Sequence, residues 1–107
     1  MKDYLIIGQG IAGTLLSWHL LQAQKDILVI DAPRPHTASR IAAGIINPVS
    51  GRRFELAWAY DRIYPFARDT YREMGVLLGT EAFVERDIWT VFPSAQMEAA
   101  FHAKTHA

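Results

Sequence analysis

The stretch Tyr4-Leu-Ile-Ile-Gly-Gln-Gly-Ile-Ala-Gly13 decides the fold of this chain. Its first four residues are apolar without alternation, which is typical of a parallel strand that is covered on both faces. The next six residues match the pattern G-x-G-x-x-G and lead into a segment whose apolar residues recur every three or four positions. We therefore expect a buried strand at residues 3–7, a tight turn, and a helix that reaches about Ala23.

A second buried strand is predicted at Ile27–Ile30, and Asp31 follows it directly. Strand, turn, helix and strand then fit into the first 31 residues, as one βαβ unit with a right-handed crossover. The predicted fold class is therefore α/β, with a Rossmann-like unit of parallel strands of the kind that binds FAD or NAD(P). A doubly wound sheet that stops at two strands is incomplete, so we expect a partial domain.

Each glycine of the motif has its own physical role in binding a dinucleotide. Gly8 allows the sharp turn, Gly10 lets the backbone approach a pyrophosphate, and Gly13 lets the helix pack closely against the strand. The helix N-terminus adds unpaired N–H groups and a positive dipole potential. Asp31 lies 18 residues after Gly13, where a carboxylate can bind ribose hydroxyls and repel a 2′-phosphate. The pattern predicts an adenine dinucleotide site, and a tight turn that binds nothing is the alternative.

The segment after the second strand is basic and rich in small residues. Residues 32–54 carry four arginines and no acidic residue, which suits a bound phosphate or, alternatively, a solvated loop. Residues 38–43 are small enough to begin a short helix, and Ser39 and Arg40 can hydrogen-bond phosphate or sugar oxygens. Residues 43–45 can lie against a flat ring. This segment favours a flavin over a nicotinamide cofactor.

The second half of the chain begins an α+β region with a predicted helix, strand and helix. Residues 54–74 have helical apolar spacing, Pro65 is expected to kink or divide that helix, and glycines at 75 and 79 mark its end. Alternating apolar residues predict a strand over residues 83–92. Ser94 is the expected N-cap of a last helix, from residue 95 to about residue 104.

Composition excludes several classes of function. The 107 residues carry 11 basic and 11 acidic side chains, so no general attraction to nucleic acid or to an anionic membrane is expected. Because the chain has no cysteine, it forms no disulfide and no thiolate metal site. We also predict no metal site on its histidines, because the pair His102 and His106 is better explained as part of a frayed last helix. Its apolar stretches are far shorter than the roughly 20 residues of a membrane-spanning helix. We expect a cytoplasmic protein without a signal peptide.

The sequence resembles the FAD-dependent D-amino-acid oxidase superfamily, which includes glycine oxidase and sarcosine oxidase-like proteins. The resemblance rests on residues 4–13, on Asp31 and on Ser39-Arg-Ile-Ala-Ala-Gly-Ile45. It implies the N-terminal portion of an FAD-dependent oxidoreductase that oxidises a CH–NH bond of a small amine or amino acid. Residues 1–52 would be the FAD-binding unit, and residues 53–107 would begin the substrate or cap region. The 107 residues alone would be inactive.

The resemblance also implies cofactor contacts, residue by residue, whereas it assigns no catalytic residue. The residues that would hold the pyrophosphate are Gly8, Gly10, Ile11, Ala12 and Gly13. The residues that would meet the adenosine are Asp31 and Ala32. The residues that would line the path toward the isoalloxazine ring are Ser39, Arg40, Ala43, Gly44 and Ile45.

Other functions stay open on the sequence. An NAD(P)-dependent Rossmann dehydrogenase has the same βαβ entry, and a non-catalytic fragment could bind ADP-like ligands. The stretch Gly44-Ile-Ile-Asn-Pro-Val49 also resembles the flavin domain of bacterial tRNA-wobble-uridine modification enzymes, although no nucleic-acid partner is expected. The sequence predicts no oligomeric state.

Overall fold

The structure, a computed structural model, describes residues 1–105. The chain folds as two compact units, Met1–Ile45 and Ile46–Ala107. The elements of the first unit are β1 (Tyr4–Ile7), α1 (Ile11–Gln22), β2 (Ile27–Ile30) and α2 (Ala38–Ile41). Those of the second unit are β3 (Val49–Ser50), β4 (Glu55–Leu56), α3 (Tyr60–Leu78) and α4 (Ala95–Thr105). The functional division predicted from the sequence, 1–52 and 53–107, remains a prediction about the complete protein.

The first unit is the predicted βαβ unit. Strands β1 and β2 pair in parallel, with Tyr4 opposite Ile27 and Ile7 opposite Ile30. Helix α1 connects them and contacts both strands. Its close contact is made by small residues, since Gly13 lies against Gly8 and Ile6 and Ser17 is buried, whereas the apolar Ile11 and Leu21 are exposed. The α/β fold class with a parallel strand pair is therefore confirmed.

The strands of this unit are only partly covered. Ile6 is buried, with 6% of its surface exposed, and it points toward α1 across the glycine turn. By contrast, Leu5 is 57% exposed and Ile7 is 80% exposed. A sheet of two strands cannot bury both of its faces and both of its edges, whereas the apolar sequence of these strands suits complete burial. The observed exposure agrees with the prediction of a partial domain.

The second unit begins with a short antiparallel hairpin that the sequence did not predict. Val49 pairs with Leu56 across β3 and β4. Helix α3 consequently begins at Tyr60, and the prediction that it begins at residue 54 was wrong. Phe54 and Ala59 have φ angles of 51° and 50°, in the left-handed region, where a helix cannot continue. The hairpin and the residues that follow it thus occupy positions 54–59, which the prediction had assigned to the helix.

Helix α3 runs unbroken from Tyr60 to Leu78, so Pro65 does not divide it. The predicted end holds at Gly79, which adopts φ 65° as the left-handed residue after the helix. Gly75 lies inside the helix and is buried. The chain returns over this glycine, where a Cβ would lie 2.6 Å from the carbonyl oxygen of Thr80. Gly75 therefore allows residues 80–82 to pack on the helix.

The strand predicted over residues 83–92 is absent, since these residues have no regular structure. Aromatic contacts hold the two ends of this segment instead. Phe83 stacks on Tyr71 with 6.5 Å between ring centroids, and Phe92 lies 5.3 Å from Phe101 of α4. Because no strand among residues 1–105 pairs with this segment, its alternation of apolar residues produces no strand.

Helix α4 was predicted correctly. Its first turn is capped by Ser94, whose side-chain oxygen accepts a hydrogen bond from the Met97 N–H at 3.3 Å. The Ser94 carbonyl also accepts the N–H of Glu98 at 3.2 Å, as the carbonyl of an N-cap does.

Candidate functional site

The glycine turn begins where the two parallel strands end. Gly8 follows β1 with φ 97°, a conformation that a residue with a Cβ rarely adopts. Its N–H donates to the carbonyl of Ile30, the last residue of β2, at 2.8 Å. The chain therefore leaves β1 and enters α1 at the carboxyl ends of both strands, which is where ligands bind in parallel α/β sheets.

Gly13 is a glycine because helix and strand are in close contact. A Cβ at residue 13 would overlap the carbonyl oxygen of Gly8 and would lie 3.5 Å from the Ile6 side chain. No rotation of a side chain can relieve an overlap with backbone. The predicted role of Gly13 in packing therefore matches the contacts around it.

Gly10, in contrast, is not required by the folded chain itself. Its φ of −72° suits any residue, and a Cβ there would meet only the Ser39 hydroxyl, at an ordinary contact distance of 3.8 Å. Neither backbone conformation nor packing explains this glycine. Because Gly10 has no Cβ, another group can lie directly against the backbone at the start of α1.

The first turn of α1 presents hydrogen-bond donors that the described residues leave available. Gly10 provides no side-chain cap, and the first turn contains no acidic residue. The N–H of Ile11 donates to the Ser39 hydroxyl oxygen at 3.1 Å. Within residues 1–105, no acceptor meets the N–H groups of Ala12 and Gly13. These donors, with the positive end of the helix dipole, suit an anion such as a phosphate.

Asp31 is held at the rim of the same turn. Its Oδ1 accepts the backbone N–H of Gln9 at 3.0 Å, and the residue is exposed. One carboxylate oxygen is thus engaged with the glycine turn, and the other has no hydrogen-bond partner in the described part of the chain. The sequence predicts Asp31 after β2 but not Gln9 as its partner, because the second position of the motif can be any residue.

Ser39 reaches the turn from α2, although the sequence identified it only by its hydroxyl group. Its side chain lies at the N-terminus of α1, next to both Gly10 and Ile11. Arg40 follows it on the exposed surface of α2, and Ala32 is exposed directly after β2. Neither residue makes a hydrogen bond to the glycine turn within residues 1–105.

The last three residues that were predicted to contact the cofactor, residues 43–45, follow α2 and have no regular structure. Ala43, Gly44 and Ile45 are all exposed, and Gly44 has φ 67°. No hydrogen bond in the described part of the chain joins them to the turn. The five predicted residues of the glycine turn thus lie together with Asp31 and Ser39, whereas within residues 1–105 no such hydrogen bond links residues 43–45 to them.

The second unit contains a separate polar and aromatic cluster. The Tyr64 hydroxyl donates to Glu85 at 3.4 Å, and the Arg72 guanidinium lies 3.6 Å from the same carboxylate. Tyr60 stacks on Tyr64 at 4.9 Å. Partial burial raises the pKa of Tyr64, and the negative charge of Glu85 acts in the same direction.

Two further features are absent from residues 1–105, which do not include His106. No group of three or more histidine, aspartate or glutamate side chains is placed to hold a metal ion. In that same part of the chain, every helix is too short or too polar to cross a lipid bilayer.

Comparison with known proteins identifies a family and a relative. The family model described as FAD dependent oxidoreductase matches residues 3–106. The uncharacterized oxidoreductase YurR of Bacillus subtilis (strain 168) is 38% identical over 58 residues, which are 54% of this chain and 16% of that protein. The match thus spans less than a fifth of this curated relative. No solved structure matches the chain.

Proposed function

Since the chain belongs to the FAD dependent oxidoreductase family, we propose that it forms the FAD-binding start of a flavoenzyme whose active site needs further residues. The observation that carries this proposal is Gly10, a glycine that neither packing nor backbone conformation requires. It leaves the start of α1 open beside the N–H groups of Ala12 and Gly13, which meet no acceptor among residues 1–105. A ligand that brings phosphate against bare backbone accounts for both features.

We assign three contacts to FAD at this turn. The pyrophosphate is held at Gly8, Gly10, Ile11, Ala12 and Gly13. The free oxygen of Asp31 accepts a hydroxyl of the adenosine ribose, and Ala32 lies beside the adenosine. A carboxylate at this place repels a 2′-phosphate, so it selects against NADP-like ligands.

The path toward the isoalloxazine ring is assigned to the basic segment after β2. Its proposed residues are Ser39, Arg40, Ala43, Gly44 and Ile45. In support, Ser39 already lies beside Gly10, and residues 43–45 are small or apolar and exposed. Gly44 adopts a positive φ, which lets the backbone turn where a side chain would be strained.

The proposed reaction is oxidation of a CH–NH bond in a small amine or amino acid. Bound FAD supplies a ring that accepts a hydride from the carbon next to nitrogen. The part of residues 1–52 is to bind this cofactor and orient it, and residues 53–107 begin the region that covers the substrate. The 107 residues alone are expected to be inactive, since a parallel sheet of only two strands, β1 and β2, forms only part of a dinucleotide-binding fold.

The test is the flavin content of the complete natural polypeptide that contains these residues. We expect the purified protein to show the visible absorbance of a bound flavin. Gly10→Val should abolish binding, because its branched side chain fills the space of the pyrophosphate, while the far-ultraviolet circular dichroism stays unchanged. Ala23→Val adds a similar bulk at the exposed far end of α1 and should bind normally.

Retained binding in Gly10→Val, judged by flavin fluorescence titration, would contradict the assignment of the pyrophosphate to this turn. Tight binding of NAD by the natural protein without any flavin would replace the flavoenzyme proposal with a nicotinamide-dependent dehydrogenase.

A further inference from the structure

The peptide groups of residues 81–92 have no hydrogen-bond partner within residues 1–105. The last backbone bond before this stretch runs from the Thr80 N–H to the Gly75 carbonyl at 2.9 Å, and the next ones after it are accepted by the Ser94 carbonyl. No side chain of the described residues bonds these peptide groups either. A run of consecutive N–H and C=O groups thus remains for a further partner.

Large apolar side chains of the same stretch are exposed. Trp89 is 92% exposed and Val91 is 88% exposed, and Val84 and Ile88 are exposed by 47% and 48%. Scattered apolar residues are ordinary on a protein surface, whereas several in one short segment mark an interaction surface. We call residues 84–91 the docking segment.

Aromatic contacts fix the chain at both ends of the docking segment. Phe83 stacks on Tyr71 and lies 6.1 Å from Tyr64, measured between ring centroids. Phe92 lies 5.3 Å from Phe101 by the same measure. The docking segment is therefore suspended between two fixed residues, which lowers the entropy that is lost when a partner binds it.

The exposed groups together define the kind of partner that fits. A partner that covers the side chains also covers the peptide groups beside them, and buried peptide groups must be hydrogen-bonded. The side of a helix cannot pair with them, because its own backbone groups already bond each other. An added β-strand covers the side chains and pairs the backbone at once. The alternation of apolar residues over residues 83–92 suits this pairing, since every second side chain lies on one face of a strand.

We propose that the docking segment becomes a β-strand by pairing with a strand from the part of the complete natural polypeptide outside these 107 residues. The inference rests on the proposed function, because that function requires such further residues. The similarity to YurR supports their extent, since the matched residues are only 16% of that protein. The partner strand carries apolar side chains beside Trp89 and Val91, on the same face of the resulting sheet.

Amide hydrogen exchange of the complete natural polypeptide, resolved to single residues, tests the pairing. A strand that is paired along one edge directs every second N–H group to its neighbour. Alternate amides of residues 84–91 should therefore exchange at least about a hundredfold more slowly than in an unfolded chain. Exchange at the unfolded rate throughout the docking segment would overturn the proposal.

Proline substitutions test the backbone itself. Arg86→Pro and Asp87→Pro each remove one N–H group, and the two groups point to opposite edges of a strand, so at least one substitution removes a pairing bond. That variant should melt about 5 °C or more below the natural protein. Arg86→Ala and Asp87→Ala are the matched controls, because they keep the N–H groups, and they should melt within about 2 °C of it. Tolerance of both prolines would contradict the pairing.

Cross-linking identifies the occupant. Trp89→p-benzoylphenylalanine places a photoreactive group on the docking segment of the purified complete polypeptide. The expected product is a link within one chain to a peptide outside residues 1–107. A link between two chains would show that a second copy covers the segment. That result, a link within residues 1–107 or no link at all would overturn the proposal.

The flavin content separates failure of this inference from failure of the proposed function. If the natural protein binds FAD while the docking segment exchanges freely, the strand pairing is wrong and the proposed cofactor site stands. If alternate amides are protected in a protein that binds no flavin, the pairing stands and the flavoenzyme proposal falls. If the natural polypeptide has no residues outside these 107, both proposals fall.

Discussion

The carbonyl oxygen of Gly8 occupies the position that a Cβ on Gly13 would need. The turn therefore needs both glycines, Gly8 for its positive φ and Gly13 because the Gly8 carbonyl leaves no room for a Cβ. Packing of helix against strand at this place is limited by backbone atoms only. Gly10, between them, belongs to neither constraint.

The first prediction separates these glycines by stability. Gly13→Ala should lower the free energy of unfolding by about 1–3 kcal/mol, the usual range for overpacking a tight contact. Gly10→Ala should leave it unchanged or raise it by up to about 1 kcal/mol, because alanine fits there and restricts the unfolded chain. Urea unfolding of the purified protein measures both. Equal destabilisation by the two substitutions would contradict the distinction.

The second prediction concerns the charge of Asp31. Asp31→Asn keeps an oxygen that can accept the Gln9 N–H, so the turn should remain folded. It removes the negative charge that would bind a ribose hydroxyl, and FAD affinity should fall about tenfold, as expected for one charge-assisted hydrogen bond. Asp26→Asn alters an exposed carboxylate paired with Lys2 and should bind FAD normally. Fluorescence titration with FAD distinguishes the two variants.

The third prediction tests the return of the chain over α3. Gly75→Ala would place a Cβ 2.6 Å from the Thr80 carbonyl oxygen and 3.1 Å from the Ala82 nitrogen. We expect a loss of about 1–3 kcal/mol in stability, because backbone must move to accommodate it. Glu73→Ala, on an exposed position of the same helix, should change stability by less than about 0.5 kcal/mol. Thermal unfolding of both variants would settle the difference, and an unaffected Gly75→Ala would rule out this packing.

The fourth prediction concerns the ionisation of Tyr64. Its pKa is raised above the ordinary value of 10.0 by partial burial and then by Glu85. The folded protein therefore keeps a proton at a pH where the unfolded chain has lost it. The free energy of unfolding accordingly falls as the pH rises from 10.0 toward the pKa of the folded state.

Glu85→Gln should lower the pKa of Tyr64 toward its ordinary value, since a neutral amide no longer repels the phenolate. Titration of carbon-labelled tyrosines by nuclear magnetic resonance gives this pKa directly. Glu81→Gln is the control, because Glu81 is exposed and does not contribute to the shift. The interaction would be disproved by a Tyr64 titration that is identical in Glu85→Gln and in the natural protein.

Prediction from the sequence was accurate where local pattern decides structure. The strands β1 and β2 and the helix between them follow from apolar spacing that stays the same whatever surrounds it. The cap of α4 by Ser94 is equally local, because a serine oxygen and an N–H three residues on need no other partner.

Prediction failed where a distant partner decides structure. Residues 83–92 alternate as a strand does, but a strand forms only with a neighbour to receive its hydrogen bonds, and none is present among residues 1–105. The start of α3 was misplaced because helical spacing in residues 54–59 does not reveal two residues of positive φ. Pro65 also proved compatible with an unbroken helix.

The sequence by itself determined the βαβ unit, the glycine turn and the place of Asp31 after β2. Only the tertiary structure decided which donors the turn leaves free, because Ser39 and Asp31 reach its N–H groups from 28 and 22 residues away. It also showed that Gly13 is required by packing and Gly10 is not, although the motif contains both as glycines. The difference lies in the atoms that surround each residue, which the motif does not reveal. Spacing along the chain identifies groups that can bind, whereas contacts across the fold decide which of them remain available.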